Sequence, residues 1–454
     1  SPPRPRDRDE GEDPEVVRIE LAGGIEDAGT EPLSAAPQAA PSPSTSFVGL
    51  DFANWGGGRP PDTVGDVGPV YFIQAVNMSL GVFRKSDGAR IAAFTFDTFM
   101  SQGNFGNLCD TDNFGDPVVL YDTFEDRWVI TDFAFQIDGS GNVLGPGAFQ
   151  CFAVSKTGDP VTGGWNFFSL AVSDLLNDYP KFGIWPDGIY MSANMFDFHA
   201  PRASQGTRVW AFNKAQLYAG APVVQVVQFT PPTTEYSLLP ANARLQAGTP
   251  PPGSPNYFGV VWQYTNAFSV YKFHVDWSHV SLSSFTGPFV AIAPASWINP
   301  PNTVPAQGGS NNDTLPIRLL MQNQYTNLGG VESLWATHTV RHPTTSGVAA
   351  VRYYQVDVTG GTVAANTTQA ATHAPDTTNR YIPSLAVDHR PGSTTLWAAW
   401  ATRTAAGGRV VVARSNDRGQ SWSAPVVVST ASEGYAFFQG LDVAPNGRVD
   451  VSFR

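Results

Sequence analysis

Charge is scarce in this sequence: Asp, Glu, Lys and Arg together make 15% of its 454 residues. What charge there is leans acidic, with 39 Asp and Glu against 27 Lys and Arg and a formal net charge of −12. That balance argues against nucleic acid, whose phosphates need a basic footprint, and against an anionic membrane surface. A neutral or cationic partner is easier to accept. No apolar run approaches the roughly twenty residues that a membrane-spanning helix requires. No window holds a helical period, and only Lys214–Tyr218 reads as a helical turn. The seven histidines (His199, His274, His279, His338, His342, His373 and His389) show no zinc spacing. His274 and His338 fall inside strand-like runs and read as packed or hydrogen-bonded. A nucleophile elbow, a phosphate-binding loop and a dinucleotide fingerprint are all missing. Cysteine is almost absent. Cys109 lies in a loop and Cys151 in the run GAFQCFAVS, and a disulfide between them is expected, with two buried thiols as the alternative. Such a bond fits an oxidising compartment. Because the sequence opens on Ser1, a secretory signal removed upstream is also expected.

What is present is strand material: 42% hydrophobic residues and 12% aromatic. Residues 1–45 are rich in Pro, acidic residues, Arg, Ala and Ser, the composition of a solvated arm or linker. Val16-Val17-Arg18-Ile19-Glu20-Leu21 is its one alternating, strand-like island. From 46 to 454 short runs of Val, Phe, Tyr, Trp and Ile alternate with Gly, Pro, Asn and Asp clusters, which indicates a sandwich, barrel or propeller. The runs group into fours at intervals of roughly 50–80 residues, the spacing of four-stranded propeller blades. Six sets stand out, and GLDVAPNGRVDVSFR begins a seventh. The expected fold is all-β, a single β-propeller of seven four-stranded blades, with six as the alternative. A two-stranded blade would leave an exposed edge, so SFVGLDF from Ser46 and VVRIEL are candidate strands to complete it.

Ser415-Asn416-Asp417-Arg418-Gly419-Gln420-Ser421-Trp422 matches the Asp-box pattern S-x-D-x-G-x-x-W. Its logic is local. Asp417 turns its carboxylate onto hairpin N–H groups, Gly419 supplies a positive φ, and Trp422 packs between sheets. A degenerate version, Ser155-Lys156-Thr157-Gly158-Asp159-Pro160 with Trp165, falls at the equivalent place in an earlier set. On these motifs, and on PPDTVGDVGPVYFIQAVN, GDPVVLYDTFEDRWVITDF, CFAVSKTGDPVTGGW, DYPKFGIWPDGIYMSANMF and LLPANARLQAGTPPPGSPNYF, the chain resembles bacterial secreted sialidase-like (Asp-box, or BNR-repeat) propeller proteins over roughly residues 60–430. The resemblance implies a propeller and a secreted or cell-surface address. Characterised sialidases add three arginines, a Tyr nucleophile assisted by Glu, and an Asp acid/base.

Those parts are not matched by motif here. Arg244, Arg318, Arg352 and Arg380 lie near strand starts but form no sialidase arginine pattern. Past the arm the glutamates are Glu125 in a hairpin turn, Glu433 in a loop, Glu332 at a strand start, and Glu235 beside Tyr236. Glu332, Glu235 and Tyr236 are therefore the candidate catalytic groups, each set against a plain surface role. A glycosidase with other acids needs only two carboxylates across a funnel. Asp62, Asp66, Asp112, Asp116, Asp178 and Asp187 sit near first strands, and Asp116 and Asp178 are the candidates among them. Turn formation is the first reading of these aspartates, with Asp187-Gly188 as a hairpin turn and Asp116-Pro117 as the lead into a strand. Calcium is the second, because Asp110, Asp112 and Asp116 are dense in hard oxygen although their spacing fails the EF-hand. Trp185, Trp262 and Trp335 are candidate sugar-stacking residues, set against inter-sheet core. Asn77, Asn312 and Asn366 head glycosylation sequons, which the resemblance implies are unmodified.

The expected function is an extracellular propeller that binds a glycan or a protein. A sialidase-like glycoside hydrolase with non-standard acids is one alternative. A structural subunit of an extracellular assembly, oligomerised through the N-terminal arm, is the other.

Overall fold

The structure is a computed structural model. It describes residues 45–51, 54–55, 62–138, 143–172, 175–198, 203–261, 263–305, 311–388, 393, 395–404, 407–417, 421–429, 440–443 and 447–453. These fall into two compact units, one of residues 45–237 with 277–281, the other of residues 238–276 with 282–453.

The first unit holds three sheets, each an antiparallel meander in chain order. They are β1 (Val64–Val67), β2 (Tyr71–Val76), β3 (Ser79–Arg84) and β4 (Arg90–Thr95); β5 (Asn113–Asp122), β6 (Arg127–Ile137), β7 (Val143–Ser155) and β8 (Trp165–Ala171); and β9 (Leu176–Ile184), β10 (Gly188–Phe196), β11 (Ser204–Asn213) and β12 (Val226–Phe229). Burial grades across each sheet. Every residue of β10 is buried, whereas β4, β8 and β12 are half-exposed. A strand covered on both faces reads as a continuous apolar run, and an outer strand alternates. Two short helices lie outside the sheets. The α1 helix (Phe96–Met100) begins where the Thr95 hydroxyl accepts the Thr98 N–H. The α2 helix (Lys214–Ala219) is capped by Asn213 and stopped by Gly220 at φ 66°, a left-handed position that glycine takes without strain. The unit's main core gathers Ile73, Leu80, Phe96, Trp128 and Ile130 around Cys109 and Cys151. Those cysteines are bonded as expected, with Cα atoms 5.7 Å apart.

The second unit is built differently. Its meanders are β13 (Leu239–Asn242), β14 (Asn256–Val260), β15 (Ala267–His274) and β16 (Ser284–Ile292), then, after the two-stranded ribbon of β17 (Thr303–Val304) and β18 (Asn312–Asp313), β19 (Leu320–Leu328), β20 (Val331–Arg341), β21 (Ala349–Asp357) and β22 (Gln369–His373). Parallel pairing of β13 with β19 fuses these two meanders into one eight-stranded sheet. A separate four-stranded sheet follows: β23 (Arg380–Val387), β24 (Leu396–Thr404), β25 (Gly407–Ser415) and β26 (Val426–Val427). A pair closes the series, β27 (Gly440–Val443) and β28 (Val449–Ser452).

One backbone device recurs where first strands begin. Asp116, Tyr179, Leu315 and Ile382 all take positive φ, and each is followed by proline. A non-glycine residue there is strained by about 1–2 kcal/mol. Hydrogen bonds to the exposed N–H groups offset it. Tyr179 donates to Asp116 Oδ2 at 3.1 Å and Ile382 to Thr339 Oγ at 3.0 Å, while Ser237, also at positive φ, donates to Asn194 Oδ1 at 2.7 Å. Each acceptor comes from the preceding meander, so the step fastens one sheet to the next.

The sets read from sequence coincide with these meanders, including the pair at the end. The short strands β1, β13 and β22 were missed, because VGDV, LPAN and QAATH carry few of the β-branched and aromatic residues that signal a strand. The α1 helix was missed too, being a single turn. The SFVGLDF expectation is corrected over residues 45–51, which form no strand. Phe47 instead stacks near Phe72 and Phe83, and the Leu50 N–H donates to Gln74 Oε1 at 2.7 Å. VVRIEL lies outside the described residues, as do His199 and His389.

Candidate functional site

In the first unit, the acids of the first strands are occupied by the chain itself. Asp66, on β1, accepts the N–H groups of Val67 and Tyr121, both at 2.7 Å. Asp116 on β5 accepts Tyr179 of β9. Asp122, at the end of β5, is fully enclosed with Lys214 of α2, their charged atoms 2.9 Å apart. The Tyr218 hydroxyl donates to the same carboxylate at 2.8 Å, and the Phe124 N–H does so at 2.8 Å. Burial first, and Asp122 second, push the Tyr218 phenol well above its usual range. Asp178 is half-exposed on β9, opposite Asn194. Next to it the Lys181 ammonium sits 3.5 Å from the Tyr179 ring centroid, a cation–π contact. Asp187 forms the expected hairpin turn and accepts the Tyr190 hydroxyl at 3.1 Å. Glu235 and Tyr236 are both only 2% exposed, and the Glu235 carbonyl accepts the Thr207 hydroxyl.

The calcium candidates are not gathered. Asp110 accepts Phe105 and Gly106 N–H groups, at 3.1 and 2.7 Å, and so shapes the loop before Cys109. Asp112 accepts the Thr111 hydroxyl, while Asp116 points to Tyr179. Among the described residues no three His, Cys, Asp or Glu side chains converge in a way that could hold a metal ion.

In the second unit Glu332, at the start of β20, is 3% exposed. Its two oxygens accept the Tyr325 hydroxyl at 2.7 Å and the Gly360 N–H at 3.0 Å. Burial and then Glu332 push the Tyr325 phenol far above its usual range, and do the same to Tyr257. This is a phenol beside a carboxylate, but neither reaches solvent, and its hydrogen bonds tie the β19–β20 hairpin to the loop after β21. Arg380 is held by Asp376, with bonds of 3.0 Å from two guanidinium nitrogens. Arg352 donates to the Tyr354 hydroxyl, to Thr372 and to the Ala295 carbonyl. His338 is fully buried against Trp297 and bonds Tyr354, as expected, whereas His274 ends β15 exposed.

Sequence reasoning overlooked one polar row. Asn242 on β13 donates to Gln322 of β19 at 2.6 Å, Asn323 to the Leu239 carbonyl at 3.1 Å, and the Val387 N–H on β23 to Gln324 at 2.9 Å. Arg244 pairs with Asp442 of β27 at 3.5 Å. The signal was present in MQNQY, where three consecutive amides interrupt an apolar strand.

The stacking candidates Trp185 and Trp335 are 1% and 3% exposed, so neither presents a face to a sugar. Trp335 donates to Thr326 instead, and Trp262 lies outside the described residues. A cavity of about 20 Å³ lies among Val351, Leu385, Ala398, Trp400 and Trp422, room for a single water and too little for a sugar.

The Ser415–Trp422 turn connects β25 to β26. Asp417 Oδ1 accepts the Ser421 N–H at 2.8 Å and the Ser415 hydroxyl at 2.7 Å, and Oδ2 accepts the Ser421 hydroxyl at 2.5 Å. Partial burial works against ionisation here, but these bonds outweigh it and hold the carboxyl below its usual range. Trp422 packs edge-on to Tyr353 of β21, with centroids 5.8 Å apart. Gly419 lies outside the described residues. The β7–β8 turn has the same plan. Asp159 accepts the Val161 and Thr162 N–H groups and the Thr162 hydroxyl, and Trp165 meets Phe99 edge-on.

No family model and no curated protein matches this sequence. Solved structures show partial likeness. A polysaccharide lyase, an ulvan lyase, aligns over 81% of this chain and 82% of its own, at 10% identity and TM-score 0.41. A Drosophila semaphorin (extracellular domains) aligns over 86% and 84%, at 8% and 0.36. A Trypanosoma rangeli sialidase aligns over 78% of this chain and 53% of its own, at 10% and 0.34. At such scores none of the three bears on this chain's chemistry.

Proposed function

We propose that this chain is an extracellular β-propeller, with β27–β28 contributing to a seventh blade, that works as a binding module for a glycan or a protein. The observation that carries this is the fate of the candidate acids. Glu332 and Asp116 each spend carboxylate oxygens on the chain's own N–H and O–H groups, Glu235 is enclosed, and Asp178 alone among the candidate acids is half-exposed. Hydrolysis of a glycosidic bond needs two carboxyl groups facing an open site. The disulfide supports the extracellular address. The acidic net charge favours a neutral or cationic ligand.

A glycan-array screen of the full chain, run beside a panel of chromogenic glycosides, tests the reading. Saturable binding without turnover is expected. Steady turnover of any glycoside would overturn it in favour of a hydrolase. Calcium is not needed on this reading, so excess chelator should leave both the melting midpoint and the binding unchanged.

A further inference from the structure

We infer that Asn366 is an acceptor for an N-linked glycan, and that of the chain's three sequons it is the one the folded protein can carry modified. The sequence offers Asn77-Met78-Ser79, Asn312-Asp313-Thr314 and Asn366-Thr367-Thr368. As motifs they are equal, and the resemblance to bacterial proteins implies that none is used. The fold separates them. A glycan is bulky and polar, so its asparagine must face solvent and have its side-chain nitrogen to spare.

Asn77 fails on space. It opens the tight turn between β2 and β3, where Val76 pairs with Ser79, and it is held at φ 34° and 1% exposure. Asn312 fails because its nitrogen is employed. Nδ2, the atom a sugar would take, donates to the Tyr381 hydroxyl at 2.9 Å and so ties the β17–β18 ribbon to β23. Tyr381 is 2% exposed, so a sugar on that nitrogen would have to enter the space the ring closes. Asn366 meets both requirements. It is exposed, and among the described residues its side chain makes no hydrogen bond. Its backbone is nevertheless fixed. Asn366 bridges Ile292 at the end of β16, the Thr367 N–H donates to the Ile292 carbonyl at 2.9 Å, and the Thr368 N–H donates to the Gln355 carbonyl at 2.8 Å. Ala365 and Thr368 beside it are exposed too, so the sequon lies open on the surface.

The donor is a lipid-linked oligosaccharide diphosphate, presented by its transferase. The Asn366 Nδ2 forms a bond to the first sugar carbon as the bond from that carbon to the diphosphate oxygen breaks. The lipid diphosphate leaves with the bonding pair, and an amide proton passes to the transferase's base. This inference goes beyond the binding reading and holds whichever ligand the chain takes.

The test is the full chain, made behind a secretory signal in cells that hold this transferase, beside Asn366→Gln, Thr368→Ala and Thr368→Ser. Enzymatic glycan release in heavy-oxygen water, then peptide mass mapping of the folded fraction, reads occupancy at each asparagine. The label is expected on Asn366 and absent from Asn77 and Asn312. Asn366→Gln and Thr368→Ala should lose it, Thr368→Ser should keep it, and all three should melt with the deglycosylated parent. An unlabelled Asn366 in the folded parent would overturn the inference. So would a label on Asn77 or Asn312 as full as the one on Asn366.

Discussion

The two units join consecutive meanders by different chemistry. In the first unit the links lean on carboxylates and a covalent bond: Asp66 and Asp116 accept backbone N–H groups of the next sheet, Asp122 holds Lys214, and a disulfide crosses the core, with one neutral amide bridge from Asn177 to Gln150. In the second unit the link is mostly neutral. β13 and β19 pair directly, amides bridge Asn242 to Gln322 and Gln324 to Val387, and the Thr339 hydroxyl takes the Ile382 N–H. Carboxylates accept strongly but are vulnerable to loss of a buried partner, whereas neutral amides cost less when cut. Sheet-to-sheet fastening is thus the main employment of the polar side chains on the first strands, and the strained residues at positive φ are part of it.

The largest expected effect is in the first unit. Removing the disulfide with Cys109→Ser/Cys151→Ser, which opens a sequence separation of 42, should cost about 4 kcal/mol by loop entropy. Chemical denaturation followed by strand-resolved hydrogen exchange should show the loss in β5–β8, with β19–β26 little changed. Asp122→Ala, which strands the buried Lys214 charge, should cost about 3 kcal/mol in the same unit; Asn242→Ala in the second should cost about 1. Equal losses would erase the contrast.

Between those two falls Trp422→Ala, at about 2 kcal/mol for a half-buried indole, while Asp417→Ala should match Asn242→Ala at about 1 kcal/mol. A pH dependence sharpens the account of the second unit. Burial, then Arg380, lowers His373 to about 4 against a nearby Asp376 that opposes the shift. The unfolded imidazole titrates near 6.5, so the neutral folded form contributes fully above that pH. Its contribution declines as pH falls from about 6.5 to 4. The melting temperature of the second unit should fall over that window, and His373→Gln should flatten the decline.

Most of the strand order was legible, because long buried strands such as GIYMSANMF and RWVITDFAF announce themselves by composition. The alternation of Gly, Pro and Asp clusters located the turns, and the Ser415–Trp422 pattern pointed Asp417 at hairpin N–H groups, of which Ser421 supplies one. Short strands such as LPAN are stabilised by pairing with β14 and β19 rather than by their own residues, so they left no local trace. The site was less legible for a physical reason. An aspartate that accepts a backbone N–H across sheets and an aspartate poised for catalysis look alike in sequence, and only distances separate them. Trp185 and Trp335 show the same limit, since burial of an indole depends on its neighbours.

The central claim is that these carboxylates hold the fold together instead of doing chemistry. Asp116→Ala and Glu332→Gln, assayed together for melting temperature and glycoside turnover, test it most directly. Both variants should melt several degrees lower, with no turnover in the parent chain to lose. An unchanged melting temperature, with a parent turnover that either substitution abolishes, would contradict it.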